Sequence, residues 1–122
     1  MGPIKNYYVI PGIRKIEIKK LAIIERKSQM ELEAKRVCKA FDVDYGEFIK
    51  NMSKRHRDYV LPRQVSMMLF VKKHQLSLAE SGAFFNKDHS TVIHACRTVS
   101  DLYSYDTEFQ KTIKPLIGDI KL

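Results

Sequence analysis

The sequence predicts an all-α fold that contains a helix-turn-helix. Apolar residues recur at three- and four-residue steps along several segments, and no segment shows the secure alternation that is typical of a strand. Two helical segments, residues 77–85 and 88–105, are separated only by Asn86 and Lys87, which is helix-turn-helix spacing. The length of 122 residues suits one compact domain.

The first part of the chain divides into an arm and a helix. Residues 1–13 carry two prolines and two glycines and favour an extended arm. Residues 15–41 have helical periodicity, and either one long helix or two helices broken near Ser28 fit the pattern. We therefore treat residues 1–35 as an arm with an extra helix, and residues 36–122 as the principal domain.

Two helices are predicted in the middle of the chain. Asp44 is placed to cap a short helix that ends near Asn51. Pro62 is expected in the first turn of the next helix, where its missing N–H costs nothing. This second helix continues to about His74. It is apolar on most sides over residues 65–71, so we expect it at the centre of the fold.

The remaining helices have recognisable start signals. Ser77 and Glu80 have the spacing of a capping box. Asp88 can cap the second helix of the helix-turn-helix. A final helix is expected after Asp106, and Pro115 should bend or break it.

The composition indicates an intracellular, basic protein. A net charge of +8 is typical of proteins that bind nucleic acid or acidic membranes. No membrane span is expected, because the chain has no run of about 18 apolar residues. The N-terminus also lacks the apolar segment of a signal peptide. Cys38 and Cys96 lie within helical patterns among apolar residues, and we expect both to be reduced and buried rather than paired.

The second helix of the helix-turn-helix begins with a polar turn made of Asp88, His89, Ser90 and Thr91. In this motif the first residues of the second helix meet base edges in the major groove of DNA. His89 can donate to guanine, and the hydroxyls of Ser90 and Thr91 can both donate and accept. Asp88 can accept from a cytosine amino group while it caps the helix. A well-capped surface helix without a nucleic-acid role is the alternative explanation.

A basic segment precedes the central helix. It contains one acidic residue, Asp58, and six basic or histidine residues: Lys50, Lys54, Arg55, His56, Arg57 and Arg63. Such a segment beside a DNA-reading helix can reach the phosphate backbone or the minor groove. Arg63 is expected in the first turn of the central helix, which is a suitable position for a phosphate contact. A solvated loop is the alternative explanation.

Three segments resemble the C-terminal DNA-binding domain of the bacterial replication initiator DnaA: "LPRQVSMML", "SLAESGAFF" and "KDHSTVIHACR". The D-H-[ST]-T-V-x-H-A motif of that family corresponds to Asp88–Ala95, and its P-R-Q helix start to Pro62–Gln64. The resemblance covers about residues 36–120. It implies a Trp-repressor-like helical bundle that binds short duplex elements called DnaA boxes.

The resemblance also implies roles for individual residues. The polar turn at residues 88–91 would contact bases in the major groove, and Arg55, with Arg57 as the alternate, would enter the minor groove. The other candidate DNA-binding residues lie where the family contacts or supports the backbone, or beside such positions: Lys54, Arg63, Gln64, Ser77, Leu78, Lys87 and His94. Three departures bear on the recognised sequence. Ser90 replaces the usual Thr, the turn containing Asn86 is one residue short, and Val71 stands where a lysine is common.

No cofactor is expected. The chain has no G-x-x-x-x-G-K-[ST] phosphate loop, so we expect neither nucleotide binding nor origin melting by this chain alone. His89 and His94 are five residues apart, which separates their rings by about 140° around a helix and disfavours a metal site. Neither a hydrolase relay nor converging carboxylates can be identified, so we expect no enzymatic activity.

Two functions from different classes fit these features. The first is a sequence-specific double-stranded DNA-binding protein of the bacterial nucleoid or a mobile element, which regulates replication initiation or transcription at DnaA-box-like sites. The second is a protein-interaction adaptor that keeps the fold without base readout. In the second case residues 1–35, including Tyr7, Tyr8, Val9 and Ile10, would contact a partner or a second copy of the chain.

Overall fold

The computed structural model describes residues 15–52 and 56–122, with side chains from residue 19 onward. The predicted arm at residues 1–13 lies outside these residues. The described residues form helices and no strand, which confirms the all-α prediction. The helices are α1 (Lys15–Ala40), α2 (Tyr45–Lys50), α3 (Arg57–Lys72), α4 (Leu78–Ala83), α5 (His89–Tyr105) and α6 (Thr107–Ile117).

Helix α1 is a single helix without a break near Ser28. Its carboxyl-terminal half packs against the bundle through Met30, Ala34, Val37 and Cys38, which are all buried. These positions recur at three- and four-residue steps, so they lie on one face of the helix. The predicted boundary between residues 35 and 36 lies inside this continuous helix.

Helix α3 begins at Arg57, so the prediction that Pro62 occupies its first turn was wrong. His56 caps the helix, because its Nδ1 accepts the backbone N–H of Asp58 at 3.2 Å. Pro62 is buried inside the helix. Because proline has no N–H, the backbone carbonyl of Asp58, four residues earlier, lacks its helical hydrogen bond. Asp58 is exposed, so water can donate a hydrogen bond to this carbonyl instead.

Helix α3 lies at the centre of the fold, as predicted. It contributes buried residues to two apolar clusters. One cluster joins Met67 and Phe70 to residues of α2, the α4–α5 turn and α5: Phe48, Phe85, Val92 and Ala95. The other joins Val65, Met68 and Leu69 to residues of α1, α5 and α6: Val37, Val99, Phe109 and Ile113. Because one face of α5 packs into both clusters through Val92, Ala95 and Val99, the orientation of α5 is fixed by the core.

Helix α6 continues through Pro115 to Ile117, so Pro115 does not break the helix, which was one of the two predicted effects. Asp106 caps α6 by accepting the backbone N–H of Phe109 at 3.0 Å. Pro115 stands in the last turn of α6, so its missing N–H removes only one hydrogen bond near the end of the helix. The helix ends at Gly118, whose φ of 55° is in the left-handed region.

The two cysteines are free thiols, as predicted, but the prediction that both are buried holds only for Cys38. Cys38 is buried and Cys96 is half-buried, and burial raises the pKa of the Cys38 thiol to about 12. Within residues 15–52 and 56–122, no helix combines the length and the apolar run that a bilayer span requires.

Polar contacts join α1 to the region that leads into the helix-turn-helix. Glu33 is fully buried, and its Oε1 lies 2.9 Å from Lys73 Nζ and 2.7 Å from His74 Nε2. Burial by itself would raise the pKa of Glu33, but the hydrogen bonds from Lys73 and His74 outweigh it and lower the pKa. Two turns earlier on α1, Arg26 Nε lies 3.2 Å from Glu80 Oε2 of α4. These contacts hold α1 against the helix-turn-helix.

Candidate nucleic-acid interface

The helix-turn-helix consists of α4, residues 84–88 and α5. Ser77 caps α4 by accepting the backbone N–H of Glu80 at 3.0 Å, which confirms the predicted cap. Asn86 has a φ of 56°, a left-handed conformation that asparagine tolerates better than most residues. This residue reverses the chain so that α5 can start immediately after the turn.

Gly82 makes the turn possible. A Cβ atom at this position would lie 2.4 Å from the carbonyl oxygen of Lys87 and 3.1 Å from that of Asp88. The backbone N–H of Lys87 donates to the carbonyl of Gly82 at 2.9 Å, which closes the turn. The sequence analysis did not identify this residue. The signal that could have identified it is a glycine inside a short helix. Glycine lowers the stability of a helix, so its presence there indicates that another backbone segment approaches closely.

The polar turn of α5 is capped as predicted. Asp88 Oδ1 accepts the backbone N–H of Thr91 at 2.9 Å and the Thr91 hydroxyl at 3.0 Å. These hydrogen bonds hold the pKa of Asp88 below its ordinary value, because they stabilise the carboxylate. Asp88 is therefore a hydrogen-bond acceptor at neutral pH, fixed at the amino end of the helix.

This end of α5 faces solvent. Asp88, His89 and Ser90 are exposed, and Thr91 is half-buried. From Val92 onward the helix is anchored, since Val92, Ala95 and Val99 are almost completely buried. The structure thus brings the four predicted residues together on a projecting helix start with a fixed orientation.

The exposed face of α5 extends beyond its first turn. His94 is exposed, and Lys87, just before the helix, is half-buried. Ile93 and Arg97 lie four and eight residues after His89, so they continue its face, and both are exposed. The sequence analysis missed Ile93 and Arg97, although their spacing from His89 was the signal that could have found them.

The structure describes only some of the candidate residues in and next to the basic segment. Lys54 and Arg55 lie outside the described residues. Arg57 is exposed at the first position of α3. Gln64 is half-buried in the second turn of that helix.

Arg63 is not in the first turn of α3, where the sequence analysis expected it, because the helix begins at Arg57. Its residue exposure is only 7%, and its Nη1 donates to the backbone carbonyl of Met52 at 2.6 Å. Burial lowers the pKa of the guanidinium below its ordinary value, although an arginine keeps its charge. Arg63 thus holds the backbone at Met52, near the start of the basic segment, against α3.

Ser77 and Leu78 stand at the start of α4, on the same motif as the projecting turn of α5. Ser77 is exposed and Leu78 is half-buried. Among the described residues, no group of three or more His, Cys, Asp or Glu side chains is arranged to hold a metal ion.

A family match and several similar proteins point to one family. The family model described as the bacterial DnaA protein helix-turn-helix matches residues 33–99. Chromosomal replication initiator protein DnaA of Methylacidiphilum infernorum is 36% identical over 88 residues, which is 71% of this chain and 19% of that protein. The DnaA proteins of Chromobacterium violaceum and Deinococcus radiodurans are 31% and 33% identical, and the matches cover 83% and 92% of this chain.

The chain spans only about a fifth to a quarter of the length of these relatives. The matched region includes all of α2, α3 and α4 and most of α5, and thus the complete turn and the polar start of α5. With a family match over more than half of its residues, this chain belongs to the bacterial DnaA helix-turn-helix family.

Proposed function

We propose that this chain binds double-stranded DNA in a sequence-specific manner, with the amino end of α5 in the major groove. The observation that carries the proposal is the projecting, capped turn at residues 88–91. A DNA groove requires hydrogen-bond donors and acceptors at a defined position, and this turn presents them on a helix anchored in the core.

The side chains at this turn suit base edges. His89 is exposed and can donate to guanine N7 or O6. Ser90 is exposed and has no β-methyl, so it forms hydrogen bonds without the thymine contact available to a threonine. Thr91 donates its hydroxyl proton to Asp88, which leaves its oxygen as an acceptor and its methyl group for thymine.

The positive charge near the helix-turn-helix also supports placing the amino end of α5 in the major groove. Arg57, Lys87 and Arg97 are exposed or half-buried cations on the elements that carry or flank the helix-turn-helix, and the whole chain has a net charge of +8. Phosphate neutralisation by such residues gives affinity that falls steeply with salt. Minor-groove contact by Arg55 or Arg57 and backbone contacts by Lys54, Gln64, Ser77, Leu78 and His94 complete the proposed interface. Arg63 supports this interface indirectly, because its hydrogen bond to the Met52 carbonyl holds the first part of the basic segment against α3.

The biological role that we propose is regulation at DnaA-box-like sites. The relatives are named as chromosomal replication initiators, and this chain matches the part of them that contains the helix-turn-helix. A chain that occupies the same duplex elements would regulate replication initiation, or transcription from nearby promoters. Such a protein would reside with the nucleoid in the bacterial cytoplasm.

The test is duplex binding by the parent chain and three alanine variants. A cognate duplex is first selected from a random pool, and affinities are then measured by fluorescence anisotropy on this duplex and on a scrambled one. His89→Ala and Thr91→Ala should each lose about 1–3 kcal/mol on the cognate duplex only. Ser104→Ala is the matched control, because it removes an exposed hydroxyl from the far end of the same helix and should bind as the parent does. Equal affinity of the parent for cognate and scrambled duplexes would contradict direct base readout.

A second candidate function is a protein-interaction adaptor that keeps the fold without base readout. The observation that favours it is the exposure of large apolar side chains on the amino-terminal half of α1, where Leu21, Ile23 and Ile24 are 56–60% exposed. Titration with mixed duplex DNA at two salt concentrations separates the two functions. Absence of binding at low salt favours the adaptor, whereas binding with a steep salt slope favours the DNA-binding protein.

A further inference from the structure

We infer that copies of this chain associate head to tail. In this arrangement an apolar, lysine-flanked patch on α1 of one copy binds an acidic groove on the next copy. The groove lies between the α1–α2 connection and the start of α3. The two surfaces have complementary chemistry, and one molecule cannot bring its own two surfaces together.

The patch lies on the amino-terminal half of α1. Leu21 and Ile24 are 56% and 60% exposed, and a spacing of three residues places them side by side on the helix. Lys20 and Lys27 are exposed and lie four residues before and three residues after Ile24, so each is adjacent to it. Single exposed apolar residues are common on protein surfaces, but a contiguous apolar patch with a polar border is typical of an interaction site.

The acidic groove has a volume of about 510 Å³. Half-buried apolar side chains line it: Phe41, Val43, Tyr59 and Leu61. Exposed carboxylates at its border are those of Asp42, Asp44, Glu47 and Asp58, and Arg57 is a cation in the lining. Lys50 Nζ lies 3.8 Å from Glu47 and His56 Nδ1 lies 3.7 Å from Asp58, and both pairs are exposed. Exposed pairs of this kind contribute little, so four carboxylates in one groove on a chain with a net charge of +8 still favour a partner that carries positive charge.

The patch and the groove match in two respects. Leu21 and Ile24 can cover the apolar lining of the groove, while Lys20 and Lys27 can lie beside its carboxylates. Charges of opposite sign around an apolar contact fix its orientation and suppress other partners. A second copy of this chain therefore supplies the kind of helix that the groove fits.

The two surfaces cannot meet within one molecule. They lie at opposite ends of α1, which is one continuous helix from Lys15 to Ala40. Ile24 and Phe41 are 17 positions apart, which corresponds to roughly 25 Å at a rise of 1.5 Å per residue. The contact is thus intermolecular and joins different surfaces of the two copies, so it generates a ring or an open chain of copies rather than a symmetric dimer.

The association is expected to be weak in solution. The patch is much smaller than the roughly 800 Å² per partner of a standard interface, and a net charge of +8 on each copy opposes association. Duplex DNA would neutralise that charge and hold copies close together, which raises their effective concentration. This DNA-dependent strengthening rests on the proposed function, whereas the contact itself does not.

The contact can be tested by NMR without DNA, using two variants that each retain one surface. The ¹⁵N-labelled copy carries Ile24→Asp, which disables its patch and keeps its groove. The unlabelled copy carries Asp42→Asn and Glu47→Gln, which neutralise part of its groove and keep its patch. Asparagine is suitable at position 42, because Asp42 has a φ of 56° and asparagine tolerates this conformation. Asp44 stays unchanged because it caps α2.

Addition of the unlabelled copy should shift the amide signals of residues 41–47 and 58–61 in the labelled copy. The shifts should disappear when the unlabelled copy also carries Ile24→Asp. They should persist when it carries Tyr105→Asp instead, because Tyr105 is a 71%-exposed residue away from the patch. Ile24 and Tyr105 are both well exposed, so neither substitution should unfold the chain, and the spectra report folding directly.

Three results would overturn the inference. The first is the absence of any concentration-dependent shift. The second is a set of shifts that persists with the Ile24→Asp partner. The third is a set of shifts confined to α1, which would mean that the patch of the unlabelled copy binds α1 rather than the groove. Because the experiment contains no DNA, a chain that fails to bind duplexes can still show the contact, and the reverse also holds.

Discussion

Replacement of Gly82 by alanine tests whether close backbone contact fixes the helix-turn-helix. The added Cβ would lie 2.4 Å from the Lys87 carbonyl oxygen and 3.1 Å from that of Asp88, whereas an ordinary van der Waals contact is 3.4–4 Å. Both neighbours are backbone atoms, which cannot rotate away as a side chain would. The turn or α4 must shift instead.

The expected loss of stability follows from three contributions. Alanine in place of glycine within a helix stabilises it by about 1 kcal/mol. Overpacking against rigid neighbours costs typically about 1–3 kcal/mol, and the short distance to Lys87 O indicates the upper end of this range. If the turn moves, the hydrogen bond from Lys87 N–H to Gly82 O is also weakened, at a further cost of about 1 kcal/mol. The net destabilisation is about 2–3 kcal/mol, which lowers the Tm by about 10 °C for a domain of this size.

The assay is thermal and urea unfolding, followed by circular dichroism, of the parent and the Gly82→Ala variant. The matched control is Ser81→Ala on the adjacent buried position. Ser81 Oγ has no hydrogen-bond partner among the described residues, so its removal should be neutral or slightly stabilising. A Gly82→Ala variant that unfolds at or above the Tm of the parent would refute the reasoning, because the turn would then have room for a side chain.

Two further predictions follow from the ionisable groups. Glu33→Gln should lower the free energy of unfolding by about 1–3 kcal/mol, because it removes the buried negative charge that contacts Lys73 and His74. Urea titrations measure this loss, and an unchanged urea midpoint of unfolding would contradict it. The pKa of Asp88 is lowered in the folded chain, so its stabilising contribution is present above its ordinary pKa and is lost as pH falls through the lowered value. An NMR pH titration of the Asp88 carboxyl and the Thr91 amide measures this, and a carboxyl pKa at or above the ordinary value would show that the cap is absent in solution.

Local features of the fold could be predicted from the sequence with good success. Asp44, Ser77, Asp88 and Asp106 were each expected at the start of a helix, and each accepts the backbone N–H of the residue three positions later. Such a cap depends only on neighbouring residues, so the sequence contains all the information required. Proline was the less reliable signal, since Pro62 lies inside α3 rather than at its start and α6 continues through Pro115 without a break. In both cases the packing of the whole helix outweighs the loss of one hydrogen bond.

The candidate site was predictable for the same local reason. The cap and the apolar periodicity after Val92 together imply that residues 88–91 project from the core. The placement of Arg63 was not predictable, because its burial depends on the carbonyl of Met52, eleven residues earlier. The role of Gly82 was hidden as well, since it arises from contact between two backbone segments across the turn.

The helical class, the helix starts and the polar turn of α5 follow from the order of the residues, because they depend on periodicity and on hydrogen bonds within a single turn. Which charges meet, and which surfaces stay exposed, depends instead on how distant segments pack together. Glu33 and His74 are separated by 41 residues, and their contact exists only because α1 packs against the end of α3. The acidic groove and the exposed patch on α1 also arise from packing, because exposure depends on neighbours that are distant in the chain.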